Sequence, residues 1–579
     1  MGWGLLLVLL AAPGLMLLSS RSVDAQPVVF RTVIVNCGTP GQTITNALRR
    51  QVVGGGLLVL VSGTCNEHVD VFRDDVILRG NPTATINGPT TTDDTIGMDH
   101  VRRVSLESLT ITGGRNGVAV FGSSVTMHNV TIQGAAVIGV SVSYGGHAFI
   151  DGSTVKQNGS VGVSAANTST AVVTNTTVEQ NASTGLQAVR ASHLRVGQDF
   201  QGGSTVGPVI VRGNSGNGIT INDSSAGIII GSTIQNNVSN GMYIARGSHA
   251  DVGIGSFNVV SANAIKDNGA GSSGILIEGA SANIVGNTIS GNGLGVQFLN
   301  GGNGRLGVRP DSTAYIGNTI TNNKLVGLQL GTGSTAVIGG NTIGGNNTAG
   351  GVGGRFGVIV SQSAANFIGQ NIIENHPESG VFVRQGSLLM GLGFASLDTS
   401  GNVIRNNGCA SEAGSNRSGV LMFEGATGEI RATTITQNCG SNVQTTLGGL
   451  LDLRGAFLGN PSTLVPTTIS LAQVPPGGSP ASTPGINIGT RGYVRLITGT
   501  VVDSNPGDGV TLINGATLEV GSNNAVSIIN NGTPAVTTNG FPINCLNGTE
   551  TSVSVPITGA VPIFTGNVAG NIVNNCTGF

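Results

Sequence analysis

ANIVGNTISGNGLGVQF, residues Ala282 to Phe298, decides the fold. It holds three short apolar alternations, Ile284, then Ile289, then Val296 with Phe298, separated by Gly/Asn turns. None is long enough to bury an apolar face alone. Winding the chain into a triangular coil turns these side chains inward and stacks them on the next coil. The rest of the chain supplies the neighbours. An aliphatic residue followed three positions later by Asn recurs as Ile234/Asn237, Ile265/Asn268, Ile289/Asn292, Ile320/Asn323, Ile343/Asn346, Ile404/Asn407 and Ile435/Asn438, with weaker copies from Val155, Val178 and Val211. Successive strong copies lie 31, 24, 31, 23, 61 and 31 residues apart, and Ile372/Asn375 divides the longest interval. Self-similarity on this period marks a solenoid. Coils of this length with three strands imply an all-β, right-handed parallel β-helix. The spread in period comes from longer loops, as in Arg246 to Ile265 and Asn407 to Gly419. The recurring Asn is expected at a corner, tolerating left-handed backbone angles and bonding the adjacent coil through its amide.

Composition agrees. Only 9% of the 579 residues are charged, 4% are aromatic and 95 are Gly. Low charge with positive mean hydropathy argues against disorder. Small aliphatic side chains suit a narrow core. Twenty-six basic residues against 28 acidic ones, without a basic run, leave nothing to grip nucleic acid. Leu5 to Leu18 is apolar but too short to span a bilayer, and Val23-Asp24-Ala25 offers the small residues of a cleavage site. A signal peptide over 1–25 and a mature start at Gln26 are expected, although no Lys or Arg precedes the apolar stretch; the other reading is an uncleaved anchor. No later segment is apolar enough to span a membrane. Six cysteines form three sequence-near pairs, and the repeat register favours Cys37–Cys65, Cys409–Cys439 and Cys545–Cys576, as neighbouring strands lie within disulfide reach. A secreted, periplasmic or cell-surface monomer is expected.

The N-terminal part sharpens the fold. Thr43 to Arg50 is a short helix candidate with Thr or Asn to cap it. A strand with Gly63, Thr64, Glu67, Val69 and Val71 follows, then Val104 to Gly114. This resembles the N-terminal opening of pectin-lyase-like β-helix proteins, in which a cap helix covers the end of the core and a G-T-x-x-E-x-V-x-V strand follows. The resemblance implies the fold for most of the mature chain. Function stays open, because that superfamily holds lyases, hydrolases, epimerases, adhesins and inert scaffolds. The expected organisation is a cap and first coils over 26–80, the main helix over 81–445, a Pro/Gly/Ser-rich excursion over 446–490, and C-terminal coils with a cap over 491–579.

Charge is concentrated between Glu67 and Arg115. Asp70 alternates with inward Val69 and Val71 and so faces outward, with His68 on the same parity as a candidate substrate contact. Ile96-Gly97-Met98-Asp99-His100 resembles the W-I-D-H strand of pectate lyases, which implies calcium held by acidic side chains. Asp99, His100, Arg102 and Arg103 are therefore the catalytic candidates, with calcium tied to the lyase reading and no other cofactor. The Trp of that strand and an R-x-P-x-x-R base motif are missing, and a turn salt bridge from Asp99 to Arg102 or Arg103 is the structural alternative. Asp74-Asp75 and Asp93-Asp94 are acidic pairs, but neighbours on a strand point to opposite faces, against a hydrolase pair. His128, His147, His193, His249 and His376 are scattered singly. No aromatic platform for sugar stacking emerges. Three functions follow: a noncatalytic solenoid binding extended polysaccharide along its outer face, a polysaccharide-active lyase, hydrolase or epimerase, and a structural envelope scaffold.

Overall fold

In the computed structural model the described residues are 28–50, 55–89, 91–199, 207–345, 356–391, 400–409, 417–458, 463–475 and 483–521, with shorter stretches up to Cys576. The expected signal peptide lies outside them, as does Asn346. Three-residue to six-residue strands recur in a fixed order and pair in parallel with their counterparts one coil away, making three sheets along one axis. The coil that opens the quoted stretch shows the pattern: Ser281–Ile284, Thr288–Ser290 and Leu294–Leu299 pair with Asn303–Leu306, Thr319–Thr321 and Val326–Gly331 of the next coil. These strands stand for the second, third and first sheets respectively. Near the N-terminus Gly56–Asn66, Val76–Gly88 and Val104–Gly113 run unbroken through the corner between the second and third sheets. The chain is a parallel β-helix with one continuous aliphatic core. Ile234, Ile265, Ile289, Ile320 and Ile343 sit in register and are fully buried.

The recurring Asn is a ladder. Asn268 donates through Nδ2 to Oδ1 of Asn292 (3.0 Å) and to the Ile234 carbonyl (3.1 Å), while its own Oδ1 accepts from the backbone N–H (3.1 Å) and Nδ2 (2.9 Å) of Asn237. Each amide thus satisfies the corner of the coil below. The left-handed angle does not fall on these Asn residues, as expected from sequence, but one residue earlier, on Asn236, Asp267, Asn322, Asn406 and Gln437. The positive-φ residue turns the chain and leaves the following amide pointing inward. Gly274, which leads the next strand, fits under that amide: a Cβ there would fall 2.9 Å from Asn292 Nδ2 and 2.7 Å from Ile289 Cγ2.

Two irregularities correct the sequence register. Ile343 pairs with Ile373, and Ile373 with Ile404, so the position expected for Asn375 belongs to His376. That imidazole is fully buried in the ladder, with Nε2 3.1 Å from the Ile343 carbonyl and its backbone N–H donated to Asn407 Oδ1. At Ala472 the Asn is missing, and Asn442 reaches in from the neighbouring strand, accepting from Asn438 Nδ2 (2.9 Å) and donating to Asn505 Oδ1 (3.2 Å). The stretch 446–490 does not leave the coil as a unit. Leu450–Arg454, Thr467–Ser470 and Ile486–Ile488 pair in register with the coils on either side, and a small hairpin, Ala456–Leu458 with Thr463–Val465, projects from it. Pro466, Pro475 and Pro484 lie outside these strands.

The helix Ile44–Leu48 covers the N-terminal end of the core with Ile44, Ala47 and Leu48, and Thr43 caps it. Glu67 completes the cap: its carboxylate accepts from the Ile44 and Thr45 N–H groups and from Thr45 Oγ1 at 2.7–3.0 Å. Disulfides join Cys37 to Cys65, Cys409 to Cys439 and Cys545 to Cys576, with Cα separations of 5.0–5.2 Å. No helix among the described residues is long and apolar enough to cross a membrane.

Candidate functional site: an axial groove

The dense N-terminal charges fall on the first sheet and its turns. Asp70 pairs in register with Gly97, and Asp99 lies two residues further along the same strand, so both carboxylates face outward about 8 Å apart between Cα atoms. His68 Nε2 lies 2.8 Å from Asp70, and Nδ1 contacts the Asp94 carbonyl. Burial works against the charged imidazole of His68, but the Asp94 carbonyl and Asp70 carboxylate outweigh it and hold its pKa above the ordinary histidine value. His100 Nδ1 meets Asp99 at 2.5 Å, and both side chains are about three-quarters exposed.

Most of the remaining charges tie coils together. Arg103 does not reach Asp99; it forms a two-pronged pair with Asp75 at 2.5 and 2.7 Å. Its hydrogen bond holds the Asp75 carboxyl below the usual range. Asp74 accepts the Arg102 N–H at 2.8 Å. Asp74 and Asp75 sit in a turn, not on a strand, so the parity argument against them does not apply; both are engaged by the Arg102-Arg103 turn. Asp94 accepts from the backbone and side-chain nitrogens of Asn116. Beside Asp99 the coil does assemble aromatics: His100, Phe121 and Tyr144 form a chain of ring contacts at 5.4 and 4.5 Å. A second chain, Phe356, Phe382 and Phe423, lies further along the helix at 4.9 and 5.9 Å. Neither is visible as sequence spacing, because each ring comes from a different coil.

A long concavity lies elsewhere, on the second sheet. A groove of about 820 Å³ crosses eight successive strands, from His249 to Leu450, parallel to the helix axis. At the inter-strand spacing its floor runs roughly 34 Å. Two outward rows line it. One carries His249, Ser281, Asn303, Thr335, Ala364, Ser387 and Thr427; the other carries Asn283, Arg305, Val337, Asn366, Leu389 and Glu429. A shallower depression of about 450 Å³ shares Thr335, Ala364, Ser387 and Thr427 and extends over the turn to Gln362 and Gln385, whose amides bond each other at 3.2 Å.

The lining is mostly hydroxyl, amide and small aliphatic groups. Arg305 is its one guanidinium among the described residues, and it donates to the Arg309 carbonyl (3.0 Å) and Ser312 Oγ (2.9 Å) of an adjoining loop. Glu429 pairs with Arg431 and Arg454. The histidines are not scattered: His147, His193 and His249 occupy one row, on alternate coils.

No curated protein matches this chain. Solved structures with a similar course include a pectate lyase (12% identity, 44% of this chain and 79% of that one, TM-score 0.30). The A-module of a mannuronan C-5 epimerase from Azotobacter vinelandii shares 16% identity over 57% of this chain and 89% of that one, with a TM-score of 0.33. A periplasmic alginate epimerase gives 11%, 62%, 84% and 0.30 in the same order. The family model described as the right handed beta helix region matches residues 94–253, 197–308 and 273–456. With its parallel coils, stacked aliphatic core and matched span, the chain belongs to the right-handed β-helix family.

Proposed function

We propose that the protein is exported and binds an extended polysaccharide in the groove on its second sheet. The groove carries the reading: it is open, straight, parallel to the axis and crosses eight coils, so it accepts a linear polymer better than a compact metabolite. Its surface is mainly apolar with hydroxyl and amide groups interspersed, which suits the C–H faces and hydroxyls of sugars, and with one guanidinium it favours a neutral or weakly charged glycan over a polyuronide. Three disulfides support residence in an oxidising compartment.

Purified protein titrated with neutral glycans and polyuronides should bind a neutral polymer, more tightly as chain length rises to fill the groove. Binding only to short oligomers, or to none of the panel, would count against it. A second reading, a polysaccharide-active enzyme on the first sheet, draws on the outward Asp70 and Asp99 beside the Phe121–Tyr144 contact. It expects product formation that Asp99→Asn or His100→Ala abolishes, with calcium required if the chemistry is of the lyase kind.

A further inference from the structure

At the His249 end of the groove three side chains stand in an order that no other coil repeats among the described residues. Ser281 is the register partner of His249 on the next coil, and its Oγ lies 2.7 Å from His249 Nδ1. Asp251 follows His249 by two residues, so it projects from the same face, and its Oδ1 lies 3.2 Å from Nε2. Asn283 Nδ2 donates to that same oxygen at 2.8 Å and sits 3.5 Å from Nε2. His147 and His193 share the row but have Phe149 and Arg195 in place of Asp251. The side chains of His249 and Asp251 are 43% and 31% exposed, so the centre is neither sealed in the core nor fully solvated. Elsewhere on the outer faces, coil-to-coil contacts are made by Arg–carboxylate pairs such as Arg212–Glu179 and Arg405–Glu374. Those hold coils together without presenting a nucleophile.

We infer that Ser281, His249 and Asp251 form a nucleophilic centre that hydrolyses O-acyl esters on the glycan lying in the groove. The glycan part of this inference rests on the binding function proposed above; the serine chemistry does not. The Ser281 hydroxyl points at an imidazole nitrogen that can take its proton, and Asp251 fixes the opposite nitrogen as N–H and stabilises the imidazolium that forms. Oγ attacks the acyl carbonyl carbon while its proton passes to Nδ1. The carbon–oxygen bond to the sugar then breaks, and the sugar oxygen leaves with that proton as a free hydroxyl. Water attacks the acyl-serine, gives a proton to the same nitrogen and releases the carboxylic acid, and Ser281 recovers its proton. Water is the only co-reactant.

Asn303, the register partner of Ser281 on the following coil, makes no side-chain hydrogen bond with another described residue, which leaves its amide available to a developing oxyanion. Glycosidic cleavage is not the chemistry of this set, since it requires two carboxyl groups across one bond.

The test uses the full-length protein with a fluorophosphonate probe, p-nitrophenyl acetate and O-acetylated polysaccharides. The expected results are probe attached to Ser281 and ester hydrolysis lowered at least ~100-fold in Ser281→Ala and His249→Ala. Asp251→Asn should lower kcat for the ester far more than it changes KM, a split a merely structural role would not produce. Absence of probe on Ser281, or hydrolysis by Ser281→Ala at the wild-type rate, would overturn the centre. Hydrolysis of the phenyl ester without acetate release from any acetylated polysaccharide would overturn the glycan substrate alone. Loss of glycan binding by the wild-type protein, with the centre active, would instead count against the groove reading.

Discussion

The first-sheet face near the N-terminus and the second-sheet groove near the middle of the chain use polar residues in opposite ways. Near the N-terminus, charge is dense and most of it is engaged: Glu67 caps the helix, Asp75 holds Arg103, Asp74 and Asp94 hold backbone of the next coil, and Glu107 holds Arg79. The His68–Asp70 and Asp99–His100 pairs lie on the outward face of the first sheet. Along the groove charge is sparse, and hydroxyl, amide and aliphatic side chains share its outward rows. Charge density therefore marks where coils need tying, and aligned uncharged rows mark where a polymer can lie. In a solenoid every outward row is a candidate site, and what distinguishes one is the shape across several coils.

Substitutions can break or sharpen this contrast. The largest loss of stability is expected from Asn268→Ala in the buried ladder, which strands the N–H and amide donors of Asn237; at about 1–3 kcal/mol for each orphaned group the cost is about 3 kcal/mol in denaturant unfolding. A wild-type midpoint would mean that the ladder is ornamental. Next comes Glu67→Ala, which removes a carboxylate accepting from three donors at the cap helix. About 2 kcal/mol should be lost, read as faster amide exchange confined to the first coils.

His376 gives a pH signature. Burial is the main cause that pushes its pKa down to about 4, so it is neutral in the fold and titrates at the ordinary value near 6.5 once unfolded. Its folded pKa is depressed, so its contribution is complete above about 6.5 and is lost as pH falls from there toward 4. At pH 5 the loss is about 2 kcal/mol, and His376→Asn should abolish that acid sensitivity while restoring the ladder amide. Equal acid sensitivity in the variant would place its source elsewhere. The smallest effect belongs to Arg103→Ala, which removes an exposed ion pair. Its melting temperature should stay within about 2 °C of the wild type, with any difference erased by salt.

Much of the fold was legible because burial repeats with the coil. Ile and Asn three apart can be read on one line of text, and the disulfides follow from the same register. The register failed where one residue stands in for another: His376 breaks the Asn pattern, and Asn442 supplies from the adjacent strand what Ala472 lacks. A second ladder, Asn263, Asn287, Asn318, Asn341, Asn371 and Asn402, stands two residues before the core Ile in each coil. The N-x-I-x-x-N spacing carries it, and the sequence reading used only its second half. The groove was not legible. Asn303, Thr335 and Ser387 are ordinary solvent-side residues in sequence, and they become a surface only when strands from separate coils align. The same holds for Ser281 and His249, which are 32 residues apart yet hydrogen-bonded.

Glycan affinity measured on two variants in parallel tests the central contrast most directly. Ala364→Trp places a bulky ring midway along the groove, and Asp99→Ala/His100→Ala strips the N-terminal face. Loss of at least ~10-fold in affinity by the first, with wild-type affinity in the second, is the predicted result. Wild-type affinity in the groove variant together with loss in the N-terminal one would contradict the account and move the binding surface to the first sheet.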